Sequence, residues 1–91
     1  MKSVLSTEIA TFHYPAGDVL TDEHARMSRM MDLKGAMAVT NLEHEEIGIV
    51  VRLASGEEVE ILSNLIDVEA DMVEVRGGHA IPVRAILRVE I

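Results

Sequence analysis

The chain contains no cysteine. Disulfides, thiolate nucleophiles and cysteine-ligated zinc sites are therefore excluded. Small secreted domains usually depend on disulfide staples, so a chain without them is expected in a reducing compartment, the cytoplasm. Rings are almost as scarce. Phe12 and Tyr14 are the only aromatic residues apart from four histidines, and tryptophan is absent. The core has to be aliphatic, built from Ile, Val and Leu, with Met filling irregular gaps. Long apolar runs are missing too. Ser3, Ser6, Thr7 and Glu8 interrupt the first segment, so no signal peptide is expected there. No stretch reaches the roughly 20 apolar residues of a membrane-spanning helix.

Positive charge is the last shortage. Eight Lys and Arg face sixteen Asp and Glu, for a formal net charge of −8. Phosphate backbones and anionic bilayers select basic surfaces, so neither nucleic acid nor a membrane is expected as a direct partner. The imbalance is concentrated. Between Glu43 and Glu74, Arg52 is the one Lys or Arg against ten acids. Such a stretch serves solubility as a solvated face, or it docks on a basic partner. In the second case Glu43, Glu45, Glu46, Glu57, Glu58 and Glu60 are the residues that would touch it.

What is present fits one small domain. The chain has 91 residues and is 48% hydrophobic, enough for a single core. A chain of this size buries only about 60–65% of its unfolded surface, so stability is modest. The segment from Ser3 to Phe12 alternates loosely and reads as a strand, stopped by the Pro and Gly of "YPAGD". Thr21 is placed to cap a helix, with Asp22 and Glu23 in its first turn, where the helix dipole favours acids. Met27, Met30, Met31 and Lys34 follow at helical spacing, and Gly35 stands where a terminating glycine would. The helix is therefore expected over Asp22 to Leu33. Its Met stripe is expected in the core; exposed, it would make an adaptable binding face.

From Ala36 the period reads as alternating, which predicts a strand over Ala36 to Leu42. Ile47, Ile49, Val51 and Leu53 predict the next strand. "ASGE" predicts a hairpin turn with Gly56 at positive φ, and Val59 and Ile61 then point inward opposite Glu58 and Glu60. Leu62 to Val68 continues with a bend near Ser63 and Asn64, and Met72 to Arg76 forms another strand. "RGGH" turns the chain through Gly77 and Gly78. Pro82 suits a strand edge or the start of a short helical turn, and Leu87, Val89 and Ile91 alternate to the end. The expected fold is mainly β with one N-terminal helix: a small antiparallel β-barrel of SH3 or Sm type with about five strands. Residues 1–33 would hold the first strand, its turn and the Met-rich helix, and residues 34–91 the barrel.

The stretch "LKGAMAVTNLEHEEIGIVV" resembles the opening of a PRC-barrel domain, through Gly35, Val39, Asn41, Glu45, Ile47, Gly48 and Val50. Ile81, Pro82 and Ile86 match the close of that pattern. The resemblance spans Leu33 to Ile91. It departs at His44, where the family often has Gly, and the Met helix has no counterpart. It implies a non-catalytic barrel that binds protein partners, with self-association open. A second stretch, Val50 to Gly77, resembles Sm-like Rho-binding antiterminators. That likeness implies an acidic regulator that occupies the basic RNA-binding surface of its partner. The cysteine and the helix acids of that family have no match here.

Catalytic and metal-binding patterns are lacking. His13, His24, His44 and His79 are scattered without HxH, HxxxH or HExxH spacing. The "EHEE" run around His44 puts neighbouring side chains on different sides of a loop, a poor cage for a cation. Ser55 and Ser63 have no evident base, and "SGEE" and "RGGH" lack the lysine and following helix of a phosphate loop. No enzyme activity, cofactor or metal is expected.

Overall fold

The computed structural model describes residues Met1 to Ile91. Seven strands and one long helix are present: β1 Lys2–Leu5, α1 Glu23–Glu43, β2 Ile47–Arg52, β3 Glu58–Ser63, β4 Leu65–Val68, β5 Met72–Val75, β6 His79–Pro82 and β7 Ile86–Glu90. The strands form two sheets, one in the order β1-β3-β2-β7 and the other in the order β4-β5-β6. No pairing closes the two sheets into one continuous barrel wall.

Three expectations need correction. The first concerns α1, which runs 21 residues instead of ending at Leu33. Gly35 lies inside it, and Ala36 to Leu42, expected as a strand, is its second half. Leu33, Ala36 and Thr40 are buried at helical spacing, so one inward face continues past the glycine. Packing of that face outweighs the roughly 0.5–1 kcal/mol that a mid-helix Gly costs relative to Ala. The N-cap is Asp22, not Thr21: its carboxylate accepts the Ala25 N–H at 3.1 Å. The helix stops at His44, whose φ of 58° is left-handed and whose N–H donates to the Thr40 carbonyl. The helix thus crosses the expected boundary between residues 33 and 34.

The second correction concerns the N-terminus. Only Lys2–Leu5 is a strand, and Ser6–Glu8 is a 3-10 turn. The strand pairs parallel to β3, with Val4 opposite Ile61, so the sheet is mixed and not purely antiparallel. The third correction is the strand count, seven instead of about five.

The hairpin reads as expected. β2 and β3 pair antiparallel from Ile47–Ser63 to Arg52–Glu58, and Gly56 turns at a φ of 92°. A single residue, Asn64, separates β3 from β4, so one bent strand passes from the first sheet to the second. A bend frees polar groups that a straight ladder would use. Here Ser63 Oγ donates to the Asn64 carbonyl and accepts the Arg76 N–H, while Asn64 Nδ2 donates to the Glu45 carbonyl. Arg76 closes the network by donating to Asn64 Oδ1. Pro82 ends β6 and leads into a 3-10 turn, Val83–Ala85, before β7.

Both sheets and α1 share one core of fifteen buried residues, all aliphatic. Ile49, Val51, Val59 and Ile61 come from the first sheet, Leu65, Val73, Val75 and Ile81 from the second, and Leu33 and Ala36 from α1. Phe12 and Tyr14 pack against its margin edge to face, at 6.4 Å between centroids.

Candidate functional site

Two surfaces carry the residues singled out from the sequence: the outward face of α1 and the glutamate-bearing hairpin.

The helix turns Leu33, Ala36 and Thr40 inward. At 3.6 residues per turn, the opposite side carries Met27, Met31, Gly35, Ala38 and Leu42. All five are exposed. Met27 is 60% exposed, Met31 72% and Leu42 82%, unusual values for large apolar side chains on one helix face. The Met stripe therefore divides. Met30 packs against the core, whereas Met27 and Met31 face out. Leu42 belongs with them, although the sequence reading placed it in a strand. An open groove of about 430 Å³ borders this face, lined by Met31, Gly35, Val89 and Ile91 among others. Ile91 is itself 78% exposed, so the apolar surface extends from α1 to the end of β7.

The glutamates do not form one surface. Glu43 ends α1, and Glu45 and Glu46 lie in the connection to β2. Glu57 and Glu58 lie at the other end of the β2–β3 hairpin. The six residues of β2 separate the two groups by about 20 Å, at roughly 3.4 Å per residue. Glu58 pairs with Arg52 at 3.0 Å, and the neighbouring Arg88 pairs with Glu90 at 2.9 Å. Glu60 accepts the Ser3 hydroxyl at 2.9 Å and lies across Gly48, where a Cβ would overlap its carboxylate. Beneath these side chains Val50, opposite Glu60 and Arg88 in register, is fully buried although it lies outside the core cluster. The outer face of this sheet is thus a carpet of mixed charge. Glu43, Glu45, Glu46 and Glu57 are exposed, and of these only Glu46 has a cation near, Arg76 at 4.0 Å.

One buried charge pair escaped the sequence reading. Arg29 is only 6% exposed and grips Asp18 with two hydrogen bonds of 2.8 Å. Its Nη1 also donates to the Ile86 carbonyl at 3.0 Å. The pair joins α1, the strap of chain before it and β7. Arg29 holds the Asp18 carboxyl below the usual carboxylate range, chiefly through these hydrogen bonds. The strap is stitched further along its length. The Val19 N–H donates to the Arg84 carbonyl, Arg84 Nε to the Pro15 carbonyl, and the Ala54 N–H to the His13 carbonyl. A signal did exist in the sequence. Arg29 sits four residues before Leu33 on the inward face, and a cation there needs a partner. Burial also pushes the Tyr14 hydroxyl's pKa up.

The largest groove, about 610 Å³ and open to solvent, runs beside the first half of α1 and is lined by Thr21, Glu23, Arg26, Met27 and Met30 among others. It borders the buried Arg29 and contains no histidine or serine. No set of three or more His, Asp or Glu side chains converges as a cation cage. The backbone of His44 ends the helix, and its side chain is exposed. No helix is long and apolar enough to cross a membrane. No family model matches the chain, and neither a curated protein nor a solved structure matches it significantly.

Proposed function

We propose that the chain is a non-catalytic interaction module of the cytoplasm, a small barrel-like domain of the PRC-barrel kind that binds protein through the outward face of α1. The observation that carries this reading is the line of exposed Met27, Met31 and Leu42 on a helix otherwise anchored to the core. Burying a large apolar side chain is worth about 1.5–3 kcal/mol, so leaving three on one face forgoes stability that a partner would recover. The shared core of the two sheets, and the bent strand that passes between them, support the barrel-like arrangement. Affinity capture from the native host tests the function. The full chain should retain a protein that a Met27→Glu, Met31→Glu, Leu42→Glu variant loses. Identical capture by both, or capture of nothing, overturns it.

A second reading is favoured by the exposed Glu43, Glu45, Glu46 and Glu57: an acidic regulator that covers a basic, nucleic-acid-binding surface of a protein partner. It is weakened by Glu58 and Glu60, which already have partners within the chain. Capture that weakens with salt and is lost on reversing the charge of Glu45, Glu46 and Glu57 would favour it over the helix face. Capture indifferent to that reversal would remove it.

A further inference from the structure

Four of the five residues on the exposed face of α1 have an internal symmetry, with Met27 lying outside it. Met31, Gly35, Ala38 and Leu42 follow at steps of four, three and four residues, the same read from either end. Two large side chains flank two small ones, about a midpoint between Ala36 and Met37. A two-fold axis through that midpoint, perpendicular to the helix, would lay Met31 on Leu42 of a second copy and Gly35 on its Ala38. Two-fold interfaces require this kind of self-complementarity, in which one residue meets another and is met by it in return.

Gly35 adds a separate observation. It has no positive φ, and a Cβ placed on it would meet nothing within 4 Å. Neither a turn nor a contact within the chain calls for glycine there, and glycine disfavours helix interiors. Close approach of another backbone would give it a role. The groove bounded by Met31, Gly35, Val89 and Ile91, with Asp32 at its side, adds contact area beside the seam.

Charge along the helix selects the direction. In the first two-thirds of α1 the exposed Arg26 and Lys34 are balanced by Glu23 and Asp32, while its far end runs into Glu43, Glu45 and Glu46 without a cation on the helix beside them. The helix is about 30 Å long at 1.5 Å per residue. Parallel packing would set the two glutamate ends side by side, on chains that each already carry −8. Antiparallel packing separates the two glutamate ends and sets each near the N-terminal dipole end of the other copy.

We infer that a second copy of this chain docks antiparallel on the outward face of α1, with Met31 against the partner's Leu42 across a two-fold axis. The inference rests on the proposed binding role of that face and names its occupant.

Sedimentation of the full chain tests it. The wild type should form a species of twice the 10.0 kDa chain mass, and Ala38→Glu should weaken the dimer by at least about tenfold with an unchanged circular-dichroism spectrum. The absence of cysteine allows a second test that does not depend on that variant. Under mild oxidation, a mixture of Met31→Cys and Leu42→Cys chains should cross-link, and neither alone should. A wild type that stays monomeric at every concentration overturns the inference, as does Met31→Cys cross-linked to itself. A monomeric wild type that still captures a protein lost by the Met27, Met31 and Leu42 variant overturns the second copy alone. That result leaves the binding role of the face standing.

Discussion

The two faces of α1 carry similar side chains in opposite surroundings. Inward, Leu33 and Ala36 are fully buried and Arg29 is held by Asp18. Outward, Met27, Met31 and Leu42 stand in solvent with Gly35 and Ala38 between them. Hydrophobicity alone does not tell the faces apart. What separates them is closure: Leu33 and Ala36 pack into the core and the Arg29 charge is paired with Asp18, while Met27, Met31 and Leu42 stand exposed. The inward face accounts for the helix being there, and the outward face carries the proposed binding role.

Substitutions that should behave oppositely on the two faces break or sharpen this contrast. Leu33→Ala opens a cavity in the core and should cost about 2–5 kcal/mol in denaturant unfolding. Asp18→Ala leaves the buried Arg29 without its counter-charge and should cost about 3 kcal/mol. Removing both charges, as in Asp18→Asn with Arg29→Met, should recover most of that loss. Because the Asp18 carboxyl is held low in the folded chain, its stabilisation is full above the ordinary carboxylate value near about 4. That stabilisation is lost as pH falls through the folded value. An acid titration of Asp18→Asn should therefore lack that component of the wild type's loss below about pH 4.

Smaller effects follow. Gly48→Ala should push the Glu60 carboxylate aside and break its bond to Ser3, costing about 1 kcal/mol. On the outward face the sign reverses. Gly35→Ala should stabilise the isolated domain by about 0.5–1 kcal/mol in thermal or denaturant melts, since nothing within the chain occupies that space. Leu42→Asn should change the unfolding free energy of the monomer by no more than about 0.5 kcal/mol, in contrast to Leu33→Ala.

Local signals explain what the sequence made legible. The turns at Gly56 and Gly77–Gly78 need a positive φ that few other residues tolerate, and the polar pair Ser63–Asn64 marks the bend between two apolar runs. The start of α1 was visible within one residue, because acids and a cap cluster there. Its length was not. Ala36 to Leu42 is apolar at both periods, so alternation and helical spacing fit equally, and Gly35 reads as a stop. Only the tertiary contact of Ala36 and Thr40 with the rest of the core decides. The parallel pairing of β1 with β3 joins residues more than fifty positions apart and leaves no local mark. The Asp18–Arg29 pair spans only eleven positions, but it joins the strap to the helix across a turn whose path no local pattern gives. The outward face was half legible: Met27 and Met31 were singled out, while Leu42 and the small residues between them were hidden by the shortened helix. The glutamates were recognised one by one, but β2 separates them into two groups that the linear stretch does not show.

Dilution of the isotopically labelled full chain, followed residue by residue by NMR, tests most directly the proposal that α1, anchored by one face, docks a second copy with the other. The account predicts concentration-dependent shifts concentrated at Met27, Met31, Gly35, Ala38 and Leu42, with Leu33, Ala36 and Thr40 much less affected. Shifts confined to the β2–β3 hairpin, or none at any concentration, would contradict it.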